Sequence, residues 1–503
     1  MRFSVLRAAA LLPLLALTVC PSARADVRLP GLISENMVLQ QKTPVRIWGW
    51  ADPGERVAVA MQGQSVSDTA GGDGRWSVTL RPLRAGGPFP LRISGKNAID
   101  FQNVLVGEVW VCSGQSNMEW PLGSAFEADK HVAAAANPRI RLFSVPHTRA
   151  DAPKDDVAAN WEPCTPETVR NFSAVGYFFG RDLEKARGVP IGLIDSSWGG
   201  TPAEAWTRRS ALQDHSELRS IAEKGLRDRT NWRSARIEWT AASARAKAAG
   251  QPAPREPGRP WMPGELYNGM IAPLLPYAIQ GVLWYQGESN AGNPAQYRTL
   301  FPFMIETWRR DWGRGDFPFL LVQLAPFMAR SAEPQESGWA ELREAQQRAT
   351  TVLPNVGMAV ITDVGEENDI HPRKKEPVGA RLALLARRIA YREKIVASGP
   401  TFKSMTVDGN RAFLRFDNVG SGLVAEGGGS LTGFAVWDGE GRDSEGRWDW
   451  ANAEIVGRDT VVVSAPGVER PATVRYGWAN FPVVNLWNRE GLPAVPFRTD
   501  APK

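Results

Sequence analysis

Short runs of apolar and other β-forming residues alternate with turn clusters at both ends of the chain. Near the N-terminus these runs are 45–50, 56–61, 76–80 and 91–93, and near the C-terminus they are 412–416, 433–437, 460–464 and 473–476. Turn-forming clusters such as Asp52-Pro53-Gly54 separate these runs. Short strands between turn signals predict an antiparallel β-sandwich over 26–103 and a second all-β region over 400–503.

The middle of the chain follows a different pattern. Five compact apolar runs, at 104–112, 190–195, 279–285, 319–324 and 357–362, are separated by stretches with helical periodicity. Two of those stretches, 167–186 and 378–391, carry their apolar residues on one helix face. This pattern predicts a doubly wound α/β domain over 104–399, with a parallel sheet covered by helices. A polar stretch at about 210–260 predicts a helical insertion followed by a proline-rich connector.

The first 25 residues are typical of an export signal. Arg2 and Arg7 precede an apolar stretch at 8–19, and small residues surround position 24. We therefore expect cleavage before Asp26 and a periplasmic or secreted protein. Lipid attachment at Cys20 is the alternative. Outside the first twenty residues no apolar run approaches the ~18 residues that span a bilayer, so we expect no membrane segment in the mature chain.

Charge and cysteine content narrow the picture further. The leader holds three of the 59 basic residues and no acidic ones, which leaves 56 basic against 54 acidic residues. A nearly neutral mature chain gives no reason to expect a nucleic-acid partner. Outside the leader the chain has two cysteines, Cys112 and Cys164. In an oxidising compartment they form either a disulfide or two separate buried thiols, and the sequence leaves both open.

The residues that follow the apolar runs are the candidates for chemistry. In a parallel sheet, ligands bind outside the carboxyl ends of the strands. The first run is followed by Ser113-Gly-Gln-Ser-Asn-Met-Glu-Trp120, the second by Ser196-Ser-Trp-Gly-Gly-Thr-Pro202, the third by Gln286-Gly-Glu-Ser-Asn290, and the fifth by Asp363 and then Asn368-Asp-Ile-His-Pro372. A hydroxyl group, amide donors, glycines and an imidazole beside a carboxylate thus gather at one edge of the predicted sheet.

These residue types are those that acyl transfer needs. A serine such as Ser116 becomes a nucleophile when an imidazole, here His371, accepts its proton. The tetrahedral oxyanion needs N–H donors, for which Ser116 and Gly200 offer backbone groups, and Gln286 or Asn290 offers a side-chain amide. We expect the other three histidines at the surface. They are scattered and lack the His-x-x-x-His spacing of zinc hydrolases, so we expect no metal.

The four motifs Cys112-Ser-Gly-Gln-Ser-Asn-Met-Glu-Trp120, Ser197-Trp-Gly-Gly-Thr-Pro-Ala-Glu-Ala-Trp206, Trp284-Tyr-Gln-Gly-Glu-Ser-Asn290 and Asp369-Ile-His-Pro372 together resemble the sialate O-acetylesterase family of the SGNH-hydrolase superfamily. The resemblance implies a flavodoxin-like, five-stranded core with attached β-regions. It also implies a cofactor-free esterase with Ser116 as nucleophile, His371 as general base and Gly200 as an oxyanion donor. The carboxylate that orients His371 is Asp369 or Glu288, and we favour Asp369.

The substrate is predicted less sharply than the reaction. Tryptophans beside the motifs, namely Trp120, Trp198 and Trp206, suit stacking on neutral sugar faces. We therefore favour an acetylesterase of plant cell-wall polysaccharides of the xyloglucan or xylan type, with a sialate O-acetylesterase as the alternative. A non-catalytic carbohydrate-binding protein is a further alternative, and so is a lipase or thioesterase of the same superfamily.

Overall fold

The N-terminal part of the chain is built from strands that lead into the centre of the molecule. The computed structural model describes residues 26–437 and 447–500, so the predicted export signal lies outside the described residues. The strands of this part are β1 (Val38–Gln40), β2 (Val45–Trp50), β3 (Arg56–Met61), β4 (Gln64–Thr69), β5 (Arg75–Leu80), β6 (Gly86–Ser94) and β7 (Ala98–Gly114). β3, β4, β6 and β7 form an antiparallel sheet, β2 pairs with β5, and both groups contribute to one hydrophobic core.

β7 belongs to two regions at once. Its residues from Ala98 to Val106 pair with β6, whereas its residues from Glu108 onward lie in the central parallel sheet. The predicted domain boundary between 103 and 104 therefore falls within a continuous strand, and that division stays a prediction.

The central sheet carries the helices of the molecule on both of its faces. Its remaining strands are β8 (Asn137–Ser144), β9 (Glu162–Cys164), β10 (Ile191–Ser197), β11 (Gly281–Tyr285), β12 (Phe319–Val322) and β13 (Val356–Ala359). The α-helices are α1 (Ser116–Glu119), α2 (Ala128–Ala133), α3 (Pro166–Val169), α4 (Ala174–Arg187), α5 (Arg209–Asp214), α6 (Arg219–Ala248), α7 (Pro294–Trp312), α8 (Gly338–Val352) and α9 (Glu376–Ile389). One face packs on α4 and α9, and the other packs on α7, α8 and the N-terminal strands.

The sheet is larger than the sequence predicts. Its order is β13-β12-β11-β7-β10-β8-β9, parallel except for β9. The five predicted runs correspond to β7, β10, β11, β12 and β13, which lie side by side in the flavodoxin-like order 2-1-3-4-5. The prediction of five strands is corrected, because β8 and then β9 extend the edge beyond β10.

The predicted helices are found with one change. The stretch 167–186 contains two helices, α3 and α4, because the chain turns between them and Ser173 caps the second. The insertion at 210–260 contains α5 and α6. The connector after α6 runs back along it, since the indole groups of Trp232 and Trp239 donate hydrogen bonds to the carbonyls of Pro257 and Pro254.

The C-terminal part has its own apolar core. Its strands are β14 (Thr401–Asp408), β15 (Arg411–Asp417), β16 (Leu423–Ala425), β17 (Phe434–Trp437), β18 (Trp448–Trp450), β19 (Asn452–Val456), β20 (Thr460–Ser464), β21 (Thr473–Tyr476), β22 (Leu486–Asn488) and β23 (Phe497–Arg498). They form two four-stranded sheets and one two-stranded sheet. The buried guanidinium of Arg343 on α8 joins this part to the central domain by donating to the carbonyls of Ala479 and Asn480.

Cys112 and Cys164 are separate buried thiols. Cys112 lies on β7 and Cys164 on β9. Burial raises the pKa of the Cys164 thiol to about 12 and raises that of Cys112 well above its ordinary value. Both groups are therefore protonated and poor nucleophiles. Among the described residues, no helix is both long enough and apolar enough to span a bilayer.

Candidate active site

The sheet topology brings Ser116 and His371 together. Ser116 is the first residue of α1, directly after β7, and His371 lies in the loop between β13 and α9. The Oγ of Ser116 and the Nε2 of His371 are 2.8 Å apart, although 255 positions separate the two residues. This is the distance at which an imidazole accepts a proton from a hydroxyl group.

A tight strand-to-helix turn presents the hydroxyl of Ser116. Gly114 at the end of β7 has φ +137°, and a Cβ at this position would lie 2.1 Å from the carbonyl oxygen of Tyr285. Only glycine allows the two strand ends to come this close. The backbone N–H of Ser116 opens α1, so it has no partner within that helix.

Asp369 is the carboxylate in contact with His371. Its Oδ1 lies 3.3 Å from Nδ1 of His371 and also accepts the backbone N–H of His371 at 2.8 Å. Glu288 is placed differently, because its Oε1 accepts from the side chain of Asn117 at 2.7 Å. Its Oε2 is buried with no hydrogen-bond partner among the described residues. The geometry therefore favours Asp369 over Glu288 as the group that orients the imidazole.

A buried polar network lies beneath the histidine loop. The Nδ2 of Asn117 donates to Glu288 and to the carbonyl of Ile370 at 3.0 Å, and the Nζ of Lys375 donates to Oδ1 of Asn117 at 2.5 Å. Burial raises the pKa of the Glu288 carboxyl, and it lowers the pKa of the Lys375 ammonium to about 7 against the attraction of Glu288. Because Ile370 precedes His371, this network fixes the backbone that carries the imidazole.

The predicted oxyanion donors are backbone N–H groups and side-chain amides, and the turn that carries Gly200 offers the first kind. Gly200 has φ +71° and lies in an exposed turn after β10, with open space around its Cα. The neighbouring Gly199 packs against Ser116, since a Cβ built on it would lie 3.2 Å from Cβ of Ser116. The backbone N–H of Gly199 is already donated to Oε2 of Glu119 at 2.6 Å. Of the two glycines, Gly200 is therefore the better candidate for an oxyanion donor.

The amides of Gln286 and Asn290 are hydrogen-bonded to neighbouring turns. The Nε2 of Gln286, which is fully buried, donates to the carbonyl of Thr201 and to Oδ1 of Asn290. The Nδ2 of Asn290 donates to Glu204. These bonds join the turns after β10 and β11 to each other. They engage both N–H groups of Gln286, which corrects its expected oxyanion role, and one of the two N–H groups of Asn290, whose oxyanion role stays a prediction.

The three tryptophans expected at the substrate site have different surroundings. Trp120 is partly exposed and stacks on the ring of His371, with ring centroids 5.1 Å apart. Trp198 is partly exposed and precedes Gly199. Trp206 is fully buried and its indole N–H donates to Thr201, so its expected contact with substrate is wrong.

A second histidine–carboxylate pair lies on the other side of Ser116. The Nε2 of His147 is 3.0 Å from Oε1 of Glu119, whose other oxygen accepts the N–H of Gly199. The His147 ring stacks on Trp198, with centroids 4.2 Å apart and planes at 4°. His147 is exposed, as the sequence predicts, but it contacts the turn that packs on the nucleophile.

Comparisons with known proteins identify the family of the chain. The family model described as "Carbohydrate esterase, sialic acid-specific acetylesterase" matches residues 106–226 and 257–385. The chain is 33% identical over 430 residues to mouse sialate O-acetylesterase, covering 77% of this chain and 78% of that protein. It belongs to the sialate O-acetylesterase family. The human sialate O-acetylesterase is likewise 33% identical over 418 residues, covering 75% of this chain and 74% of that one.

The fold of this family member also matches a solved structure. A carbohydrate acetylesterase from Xanthomonas citri superposes with a TM-score of 0.82 at 39% identity, covering 94% of this chain and 100% of that chain. The family and its structural relative establish the chain as a carbohydrate acetylesterase. The family match leaves out residues 227–256, which are most of α6 and its connector.

Sequence reasoning missed several residues of the site in this acetylesterase. Asn117 and Glu119 stand within the first motif, but only their neighbours received a role. Their positions one and three residues after Ser116 on α1 were the available signal. No local pattern announces Lys375 or His147, because both reach the site through tertiary contacts.

Proposed function

We propose that this acetylesterase cleaves acetyl esters of sugar hydroxyls through a covalent acetyl-Ser116 intermediate. The observation that carries the proposal is the 2.8 Å contact between Oγ of Ser116 and Nε2 of His371. An imidazole at that distance can take the proton as Oγ bonds to the acetyl carbon. The sugar oxygen then leaves with the proton from His371.

The second half of the reaction reverses these roles. His371 accepts a proton from a water molecule, which attacks the acetyl-enzyme and releases acetate while the proton returns to Ser116. Asp369 holds the imidazole in the tautomer whose Nε2 faces the serine. Glu288 is assigned a supporting role through Asn117. The backbone N–H groups of Ser116 and Gly200 are proposed as the oxyanion donors.

For the substrate we propose a neutral, O-acetylated polysaccharide of the xyloglucan or xylan type. Two arginines already have carboxylate partners: Arg149 pairs with Glu265 at 3.5 Å and lies over Trp261, and Arg208 pairs with Asp311 at 3.3 Å. A sialate carboxylate bound at either of them would have to displace its partner. Arg373, two positions after His371, donates from its Nε to the carbonyl of Ser124 at 3.3 Å. A sialate O-acetylesterase activity is the second candidate, and it is favoured by the mammalian relatives that carry that name.

The decisive experiment replaces the nucleophile. We expect Ser116→Ala to fold normally and to lose acetate release from a chromogenic acetyl ester, with Ser289→Ala, an exposed serine nearby, as the matched control. Unchanged turnover in Ser116→Ala refutes the mechanism. Acetate release from acetylated xyloglucan, acetylated xylan and an O-acetylated sialoside then ranks the substrates, and a preference for the sialoside overturns the neutral-polysaccharide proposal.

We also propose that residues 1–25 direct export to the periplasm or the medium. N-terminal sequencing of the exported protein should begin at Asp26. A lipid-modified N-terminus at Cys20, detected by mass spectrometry, would contradict this.

A further inference from the structure

The C-terminal β-region contains a pocket of about 340 Å³ that the proposed reaction does not use. Four aromatic side chains form much of its wall, and they come from three separate segments of this region: Phe434, Trp450, Trp478 and Phe481. Trp450 is 41% exposed, so part of its ring is open to solvent. Its indole N–H donates to the carbonyl of Ala332 at 2.7 Å, so the ring is held in place.

The chemistry of the wall selects a neutral ligand. Among the residues that the structure describes, none with an ionisable side chain lines the pocket. Its polar side chains are the hydroxyls of Ser331 and Thr432. Aromatic faces with a few hydroxyl groups match a pyranose ring, which has an apolar face and hydroxyls at its edge. An anionic ligand would find no side-chain counter-charge among the lining residues described.

The pocket is connected to the histidine loop of the active site. The guanidinium of Arg330 lies 5.2 Å from the ring centroid of Phe481, a pocket residue. The same guanidinium pairs with the carboxylate of Glu367, two positions before Asp369. One side chain therefore contacts both the pocket wall and the loop that carries His371.

We propose that this pocket is a non-catalytic subsite that binds a neutral sugar unit of the polymer whose acetyl group is at Ser116. The proposal rests on the proposed function, which supplies the acetylated neutral polysaccharide. The subsite adds binding energy for a long substrate and does nothing for a small acetyl ester.

The test blocks the pocket at its exposed rim. Val483 lines it and is 52% exposed, so Val483→Arg adds a bulky cation without disturbing the core. Val456 on β19 is 47% exposed and does not line the pocket, so Val456→Arg is the matched control. We expect Val483→Arg to raise KM for acetylated xyloglucan about tenfold and to leave kcat/KM for a chromogenic acetyl ester unchanged. Val456→Arg should leave both unchanged.

A binding measurement separates failure of the subsite from failure of the proposed function. Calorimetry with the Ser116→Ala variant and a deacetylated xyloglucan oligosaccharide needs no catalysis. We expect binding that Val483→Arg or Trp450→Ala weakens about tenfold and that Trp450→Phe retains. Equal affinity in all these variants, or binding of octanoate in place of the sugar, overturns the subsite. Loss of the proposed function would instead appear as full esterase activity in Ser116→Ala.

Discussion

Two histidine–carboxylate pairs flank Ser116, and they differ in what the imidazole touches. On one side His371 contacts Asp369 through Nδ1 and Ser116 through Nε2. On the other side the Nε2 of His147 contacts Glu119. Each imidazole also stacks on a tryptophan. The same residue types therefore occur twice. A general base must contact the hydroxyl group, and of these two imidazoles it is His371 whose Nε2 contacts Oγ of Ser116.

The two pairs also differ in their support. The loop of His371 rests on the buried contacts of Asn117 with Ile370 and Lys375. His147 is exposed, and it contacts the site through the ring of Trp198 and through Glu119, which accepts the backbone N–H of Gly199. An imidazole that must stay within 3 Å of a hydroxyl group needs a backbone that does not move, whereas a surface pair that steadies a turn does not.

The largest difference between the pairs should appear when each histidine is removed. We expect His371→Ala to lower kcat/KM for a chromogenic acetyl ester by about 10²- to 10⁴-fold, because the proton of Ser116 loses its acceptor. His147→Ala, the matched change on the other side, should cost less than about tenfold, since it only frees Glu119. Comparable losses in the two variants would show that the distinction drawn from the contacts is wrong.

The next largest effects should come from the two carboxylates, and the loss of kcat should be greater for Asp369, which contacts His371, than for Glu288, which does not. We expect Asp369→Asn to lower kcat by about 10²-fold, since the amide cannot stabilise the imidazolium. Glu288→Gln should have a smaller effect, because Glu288 acts through Asn117 and an amide can still accept that hydrogen bond. Steady-state kinetics and melting temperatures of both variants check this order. A larger loss of kcat in a stable Glu288→Gln protein would reverse the assignment.

The smallest expected effect is on the free energy of unfolding, through Lys375 in the buried network under the His371 loop. The pKa of Lys375 is about 7 in the folded protein, whereas an unfolded lysine has its ordinary value near 10.4. At pH values between these two pKa values, the unfolded chain binds more protons at Lys375 than the folded protein does. The free energy of unfolding therefore rises as pH rises. We expect the stability of the parent relative to Lys375→Met to rise by up to about 2.7 kcal/mol between pH 7 and pH 9.

Urea unfolding at several pH values measures this difference. Lys374→Met is the control, because Lys374 is exposed and should show no such trend. A constant difference between the parent and Lys375→Met would mean that Lys375 stays charged in the folded protein.

The sequence predicted those strands of the central sheet that consist mainly of apolar residues. β10, β11, β12 and β13 are buried throughout or nearly so, as is β7 from Val104 onward, and compact apolar runs predicted them. β8 was missed because arginines interrupt its apolar residues. Arg141 is buried, yet its guanidinium reaches the side chain of Asn103, a contact that no local pattern encodes.

The sequence predicted those site residues whose chemistry defines the motif. Ser116, His371 and Asp369 were proposed from motif chemistry, and the structure brings them together. Gln286 and Trp206 have side chains with many uses, and proximity to a motif could not distinguish a ligand-facing group from a packed one. Both are fully buried and bonded to neighbouring turns.

The continuity of β7 limits how this enzyme can be re-engineered. The strand that begins beside β6 ends two residues before the nucleophile. An N-terminal module cut off at residue 103 would leave residues 104–107 without β1 and β6, although residues 108–114 would still pair with β10 and β11. We expect an exchange of modules between relatives at that point to disturb the position of the hydroxyl group. Residues 227–256 of the insertion lie outside the family match, and we expect a graft or a deletion there to leave the catalytic centre in place.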